Sequence, residues 1–142
     1  MTTPVQLDEN YFVAPQIFVE DLSVLKEQGF TLIVNNRPDG EAEDQPNAEQ
    51  LEKAAKALGL KYAWNPIELP KLAQEHLTKQ SEIITPIQKT LAFCRTGTRS
   101  SVLWVLMENA KGRSYADLVS QVSAKGFDLS RCESAMIPLK GQ

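Results

Sequence analysis

The sequence predicts an α/β fold: a central, mostly parallel sheet of four to five strands flanked by helices. Three observations carry that prediction. Short apolar, β-rich runs recur at residues 30–35, 60–67 and 90–93. Stretches with apolar residues at helical spacing lie between or beside them. Glycines and prolines punctuate the junctions. Strands that alternate with helices favour parallel pairing through right-handed crossovers.

The elements follow in order. Tyr11-Phe12-Val13-Ala14 reads as a short strand. Glu20 or Asp21 starts a helix through Leu22, Leu25 and Lys26, which Gly29 ends. Residues 30–35 are apolar on nearly every position, as expected of a strand covered on both faces. Asn36-Arg37-Pro38-Asp39-Gly40 then breaks the strand, and the polar stretch 38–46 is a loop within the domain. Ala48, Leu51, Ala54, Ala55 and Leu58 recur at helical spacing until Gly59. Residues 60–67 read as a central strand that ends at Leu69-Pro70. A helix is predicted over residues 76–84. Thr90-Leu91-Ala92-Phe93 is a short buried strand. The helix after the next loop carries Val102, Leu103, Val105 and Leu106 inward, and two further helices follow Ser114. Tyr62 and Trp64 alternate along their strand, which puts at least one in the core; Trp104 is a packing residue.

Composition bounds the function. The chain has 142 residues, which suits one compact domain over residues 1–142. A net charge of −3 and scattered lysines and arginines argue against nucleic acid as a partner. No apolar run approaches the roughly 20 residues of a membrane span, so no membrane association is expected. Two cysteines, Cys94 and Cys132, are too few for a secreted disulfide scaffold and suit a reducing cytoplasm. Residues 1–10 lack the basic-then-apolar pattern of a signal peptide. No His, Cys, Asp or Glu group has metal-ligand spacing, so neither metal nor cofactor is expected.

In parallel sheets, ligands gather at the carboxyl edge of the strands. Three loops should share that rim: residues 36–43, 66–75 and 94–100. The last, Cys94-Arg95-Thr96-Gly97-Thr98-Arg99-Ser100, joins a strand to a helix and carries the chemistry. Gly97 permits torsions that turn successive N–H groups inward, and the helix that follows adds unpaired N–H groups and its positive end. An anion fits that cradle, lined by Arg95, Thr96, Gly97, Thr98 and Arg99. Cys94 stands at its start, where the same field favours the thiolate nucleophile. Arg99 is suited to grip two oxygens at once. Ser100 or Ser101 is suited to hydrogen-bond the sulfur and ease its departure.

This loop resembles the phosphate loop of cysteine-dependent phosphatases and also the active loop of rhodanese sulfurtransferases. The wider chain, from about Leu7 to Gly126, resembles the bacterial phosphatase-like domain family of beta-lactamase-hydrolase-like proteins. The matching stretches are Tyr11 to Ile17, Ile33 to Glu41, and Cys94 to Ser100. The resemblance implies a fold like the dual-specificity phosphatases and hydrolysis of phosphate monoesters through a thiophosphoryl-Cys94 intermediate. The substrate it implies is a phosphorylated small molecule or a phosphoprotein. Members are also labelled sulfur transferases. Two departures stand out. Only Arg95, Thr96, Gly97 and Thr98 separate Cys94 from Arg99, which is the common rhodanese interval, whereas phosphatases usually have five residues there; the family resembled here shows the short loop too. Phe93 stands where phosphatases often carry His.

A phosphatase needs a proton donor for the leaving oxygen, and no Asp lies between Asp44 and Cys94. Glu68, Glu75, His76 and Asp39 fall in the rim loops and have suitable chemistry. Glu68 is favoured because it follows its strand most directly. The bland alternatives are a solvated Glu68 and Glu75, a helix-start His76 and a turn at Asp39-Gly40. Arg37 leaves its strand at the same rim, to contact substrate or to pair with Glu41 or Glu43. Cys132 reads as an unrelated thiol at a polar helix start. Three readings stay open: a cysteine phosphatase, a rhodanese-like sulfurtransferase carrying a Cys94 persulfide, and a non-catalytic anion-binding module.

Overall fold

A computed structural model describes residues 3–141. Five strands form one sheet in the order β1-β2-β5-β3-β4. They are β1 (Val5–Gln6), β2 (Tyr11–Ala14), β3 (Leu32–Asn35), β4 (Lys61–Trp64) and β5 (Thr90–Phe93). β1 runs antiparallel to β2, and every other neighbouring pair is parallel. β5 therefore sits at the centre, with Phe93 level with both Ala14 and Asn35. Its four residues are all buried, as the apolar run requires.

Successive side chains of a strand point to opposite faces, and the sheet is covered accordingly. Ile33, Leu91 and Phe93 pack under α1 (Asp21–Glu27) and α2 (Ala48–Ala57) through Leu22, Leu25, Leu51 and Ala55. Val13, Val34 and Ala92 face the other layer, built from α3 (Gln74–Ile83), α4 (Thr98–Ala110), α5 (Tyr115–Ala124) and the short α6 (Glu133–Met136). α4 is buried on every residue from Ser100 to Met107, so the helix that follows the Cys94 loop is the central one of its layer.

Several elements differ from expectation. β1 is an added antiparallel strand, too short to show a period. The strand predicted over 60–67 is shorter, and it is the edge of the sheet rather than central. Its backbone continues in register beyond Trp64 only through Asn65 N–H to Asn35 O (2.8 Å) and Ile67 N–H to Asn36 O (3.0 Å). α3 begins at Gln74 rather than 76. Cys132 stands at a helix start as expected, at the end of a 3-10 turn and just before α6, but it is buried in the core rather than in polar surroundings. Trp104 is fully packed, as read from its position. Among the described residues, no helix is long and apolar enough to cross a membrane.

Candidate active site

The loop after β5 is pinned on both sides by backbone bonds. Asn36 N–H donates to Phe93 O at 2.8 Å, Cys94 N–H to Ala14 O at 3.4 Å, and Gln16 N–H to Arg95 O at 3.3 Å. The turn into α4 is made at Gly97, whose φ of 95° lies in the left-handed region. A side chain there is disfavoured twice, because a Cβ would also meet the Phe127 ring at 2.9 Å. The turn brings Gly97 N–H to the Cys94 sulfur at 3.1 Å. Cys94 is fully buried at the base of the loop, while Arg95 and Thr96 are exposed at its lip. Thr96 and Thr98 join their hydroxyls at 2.9 Å.

Arg99 projects from the first turn of α4 to the other two rim loops. Its Nη1 and Nη2 donate to the two carboxylate oxygens of Glu41 at 2.9 and 2.8 Å. Nη1 also donates to Ile67 O at 2.9 Å. Arg37 reaches the same carboxylate through Nε at 2.9 Å and donates to Gln16 Oε1 through Nη1 at 2.9 Å. Loops 36–43, 66–75 and 94–100 therefore do meet, and they meet on Arg99. The Arg99 hydrogen bond, opposed by burial and aided by Arg37, holds the Glu41 carboxyl below its ordinary range. Burial works against the charge of Arg99, but Glu41 and the Cys94 sulfur outweigh it and strengthen the guanidinium's hold on its proton.

Beneath the loop lies a buried polar network. Tyr11 Oη donates to Ser100 O at 2.9 Å, and Ser100 Oγ donates to Asn36 Oδ1 at 2.9 Å. Gln80 Nε2 donates to both Asn36 Oδ1 (3.2 Å) and Tyr11 Oη (3.3 Å). Gln80 Oε1 accepts from Asn36 Nδ2 at 3.0 Å and from Asn65 Nδ2 at 2.8 Å. Burial pushes the Tyr11 phenol well up, so it stays a neutral donor. Each buried polar atom here has a partner, which is the condition under which such a network rigidifies its surroundings.

The residues singled out from sequence fall into three groups. Cys94, Gly97, Arg99 and Ser100 share the loop, but the Ser100 hydroxyl donates to Asn36 rather than to the sulfur, and Ser101 Oγ donates to Gly97 O at 2.8 Å. Arg37 joins them through Glu41. The four acid candidates have other partners or face solvent. Asp39 Oδ1 accepts from Ala48 N–H at the start of α2 (2.8 Å), and His76 Nδ1 accepts from Ala73 N–H at the start of α3 (3.0 Å). Glu68 is exposed beside Lys71 at 3.4 Å, and Glu75 is exposed in the first turn of α3. Of the two partners the sequence offered Arg37, the structure selects Glu41 over Glu43; sequence reasoning missed the bond of Glu41 to Arg99, and missed Asn36 and Gln80 as parts of the site. Only the position of Glu41 four residues after Arg37 hinted at its role.

Comparison with known proteins decides the family. Residues 5–111 match the family described as "Beta-lactamase hydrolase-like protein, phosphatase-like domain". The chain belongs to that family. A "Beta-lactamase hydrolase-like protein" of Agrobacterium fabrum is 35% identical over 130 residues, covering 88% of this chain. The chain spans only 30% of that relative's length, so this phosphatase-like domain corresponds to one part of a larger protein there. A crystal structure of a "putative phosphatase" from Neisseria meningitidis is 28% identical, with a TM-score of 0.80 over 92% of this chain and 96% of that one. A chain named Tk-PTP shares the fold at 18% identity and a TM-score of 0.71, covering 96% of this chain and 95% of its own. The phosphatase-like domain thus has the architecture of the dual-specificity and tyrosine phosphatases.

Proposed function

We propose that this domain is a cysteine-dependent phosphatase that hydrolyses phosphate monoesters through Cys94. The observation that carries the reading is the pairing of the Cys94 sulfur with Gly97 N–H at 3.1 Å, on a loop whose Arg99 is braced at the rim. The family name and the phosphatase fold support it. In the first step the Cys94 thiolate attacks phosphorus, an S–P bond forms, and the ester P–O bond breaks as the leaving oxygen takes a proton. Glu68 is the proposed donor of that proton. In the second step water attacks phosphorus and loses a proton, the S–P bond breaks, and inorganic phosphate leaves with Cys94 restored as thiolate. The loop N–H groups and Arg99 hold the phosphoryl oxygens in both steps. The substrate class is a phosphorylated small molecule or a phosphoprotein, and the proposed location is the cytoplasm.

Steady-state hydrolysis of an aryl phosphate tests this, with Cys94→Ser as the control. The expected result is turnover in the wild type and none in Cys94→Ser; turnover unchanged by that substitution overturns the reading. Arg99→Lys keeps the charge but not the planar pair of donors, and is expected to cost about 2–4 kcal/mol of transition-state binding.

The four-residue interval between Cys94 and Arg99 favours a second reading, a persulfide carrier. There the thiolate takes the outer sulfur of thiosulfate, and sulfite leaves. Intact mass after thiosulfate treatment separates the two readings, since only the carrier gains a cyanide-labile sulfur.

A further inference from the structure

Arg99 presents five N–H donors in a plane: one on Nε and two each on Nη1 and Nη2. Glu41 takes one from each terminal nitrogen, end-on, and Ile67 O takes the second of Nη1. What is left is the side edge of the guanidinium, Nε–H and the remaining Nη2–H. That edge is a fork of two parallel donors, the arrangement that matches two oxygens of one phosphate. Arg99 springs from the first turn of α4, directly after the turn that holds the Cys94 sulfur on Gly97 N–H, and the guanidinium hydrogen-bonds that sulfur, so the side chain borders the cradle.

Glu41 is itself fixed. Its Oε1 accepts from Arg37 Nε, and the Arg37 side chain is only 4% exposed and is held by Gln16 as well. The backbone that carries Glu41 is tied by its N–H to Gln45 Oε1 at 3.1 Å, and Gln45 Nε2 returns to Pro38 O at 2.8 Å. A short, doubly anchored loop thus presents one carboxylate to two guanidiniums and leaves the cluster with a net positive charge.

We propose that Glu41 is a positioning residue that aims the edge of Arg99 left over by Glu41 and Ile67 at the anion cradle of Cys94. The proposal rests on the phosphatase reading for its kinetic readout but not for its binding readout. It also makes a sign prediction. If Glu41 were only a competing counter-ion, its removal would strengthen anion binding, because a negative charge beside the site is lost. If Glu41 aims the fork, its removal weakens anion binding despite the added positive charge, because the donors no longer converge.

The experiment compares the wild type with Glu41→Gln in the full chain. Inhibition by orthovanadate and binding of inorganic phosphate by titration calorimetry are measured beside kcat and KM on 4-nitrophenyl phosphate. The expected result is vanadate inhibition and phosphate binding weakened about tenfold or more, with kcat falling as well. Equal or tighter anion binding in Glu41→Gln overturns the proposal. Should that variant fail to fold, Glu41→Asp answers the same question, because it keeps the charge but draws the carboxylate back from Arg99 by one methylene. Phosphate and vanadate binding must weaken in Glu41→Asp as well; wild-type binding overturns the proposal. A wild type that binds phosphate but hydrolyses no ester removes the phosphatase reading alone, and one that binds neither anion removes both.

Discussion

Ser100 Oγ donates to Asn36 Oδ1 at 2.9 Å, joining the first turn of α4 to the end of β3 across 64 positions of chain. The bond fixes the axis of α4, and therefore the direction of the N–H groups at its start, relative to a loop that also carries Arg37 and Glu41. Asn36 is the hub: it is fully buried and bonds Ser100, Gln80 and the Asn65 carbonyl. Asn36→Ala strands several buried partners at once and is expected to cost about 1–3 kcal/mol of stability, read by urea unfolding. Ser100→Ala is expected to cost less, because Asn36 Oδ1 keeps its bond from Gln80 Nε2. Equal losses for the two would show that the network does not converge on Asn36.

Gly97→Ala should strain the loop in two separable ways. The left-handed torsion is expected to cost about 1–3 kcal/mol for a residue with a side chain. The methyl group would also stand 2.9 Å from Phe127. Thermal unfolding of Gly97→Ala, Phe127→Ala and the double variant separates these effects. The double variant is expected to be more stable than the sum of the single losses implies, since removing the ring relieves the contact but not the torsion. Strict additivity would place the whole cost in the backbone.

How far the sequence reveals this site depends on the range of the forces that build it. β5 and its loop are legible because a buried strand must be apolar on both faces and a tight turn into a helix needs glycine; Thr90 to Ser100 states both locally. The start of α2 is similarly local, with Asn47 and Gln50 bonding each other's backbone N–H. The start of α3 is not, since Ala73 offers no side-chain cap and only the reverse bond forms, with His76 Nδ1 accepting the N–H of Ala73. The edge position of β4 depends on pairing order, which no local pattern encodes. Glu41 is the instructive case. It shares a polar loop with Glu43 and Asp44, and nothing in the spacing tells which carboxylate meets Arg99, 58 positions away. Only the assembled rim makes that choice.

The lowered carboxyl of Glu41 gives stability a specific pH dependence. Its folded-state pKa lies below the ordinary 4.5, chiefly through Arg99. The contribution is therefore complete above pH 4.5 and is lost as pH falls through the lowered folded value. Unfolding free energies of the wild type and Glu41→Gln should differ by a constant amount between about pH 6 and 8, well above the carboxylate range. The gap should close on acidification below 4.5. Salt should narrow it at every pH, because Glu41 is 28% exposed and its pairs are partly screened. A gap that widens in acid would mean that the carboxyl is protonated in the folded state.

In the proposed phosphatase reaction the proton donor is the remaining role, and its candidates differ in what each would lose on substitution. Asp39 and His76 each accept a backbone N–H at a helix start, so their removal should lower stability with a similar change on every substrate. Glu75 is exposed on the first turn of α3. Glu68 directly follows Ile67, whose carbonyl holds Arg99, and its exposed pair with Lys71 is weak enough to exchange. Glu68→Gln is therefore expected to lose rate on alkyl phosphates, whose leaving oxygen needs a proton, and to lose little on 4-nitrophenyl phosphate, whose leaving group does not. Its rate should also lose the alkaline limb of the pH profile, because that limb reports ionisation of the acid. Glu75→Gln should leave both substrates unchanged. Equal losses on both substrates in Glu68→Gln would assign Glu68 to binding, and wild-type rates on alkyl phosphates would move the acid elsewhere. If all four variants keep full rates on poor leaving groups, no rim carboxyl or imidazole supplies the proton, and the persulfide reading, which needs no such donor, becomes the better account of Cys94.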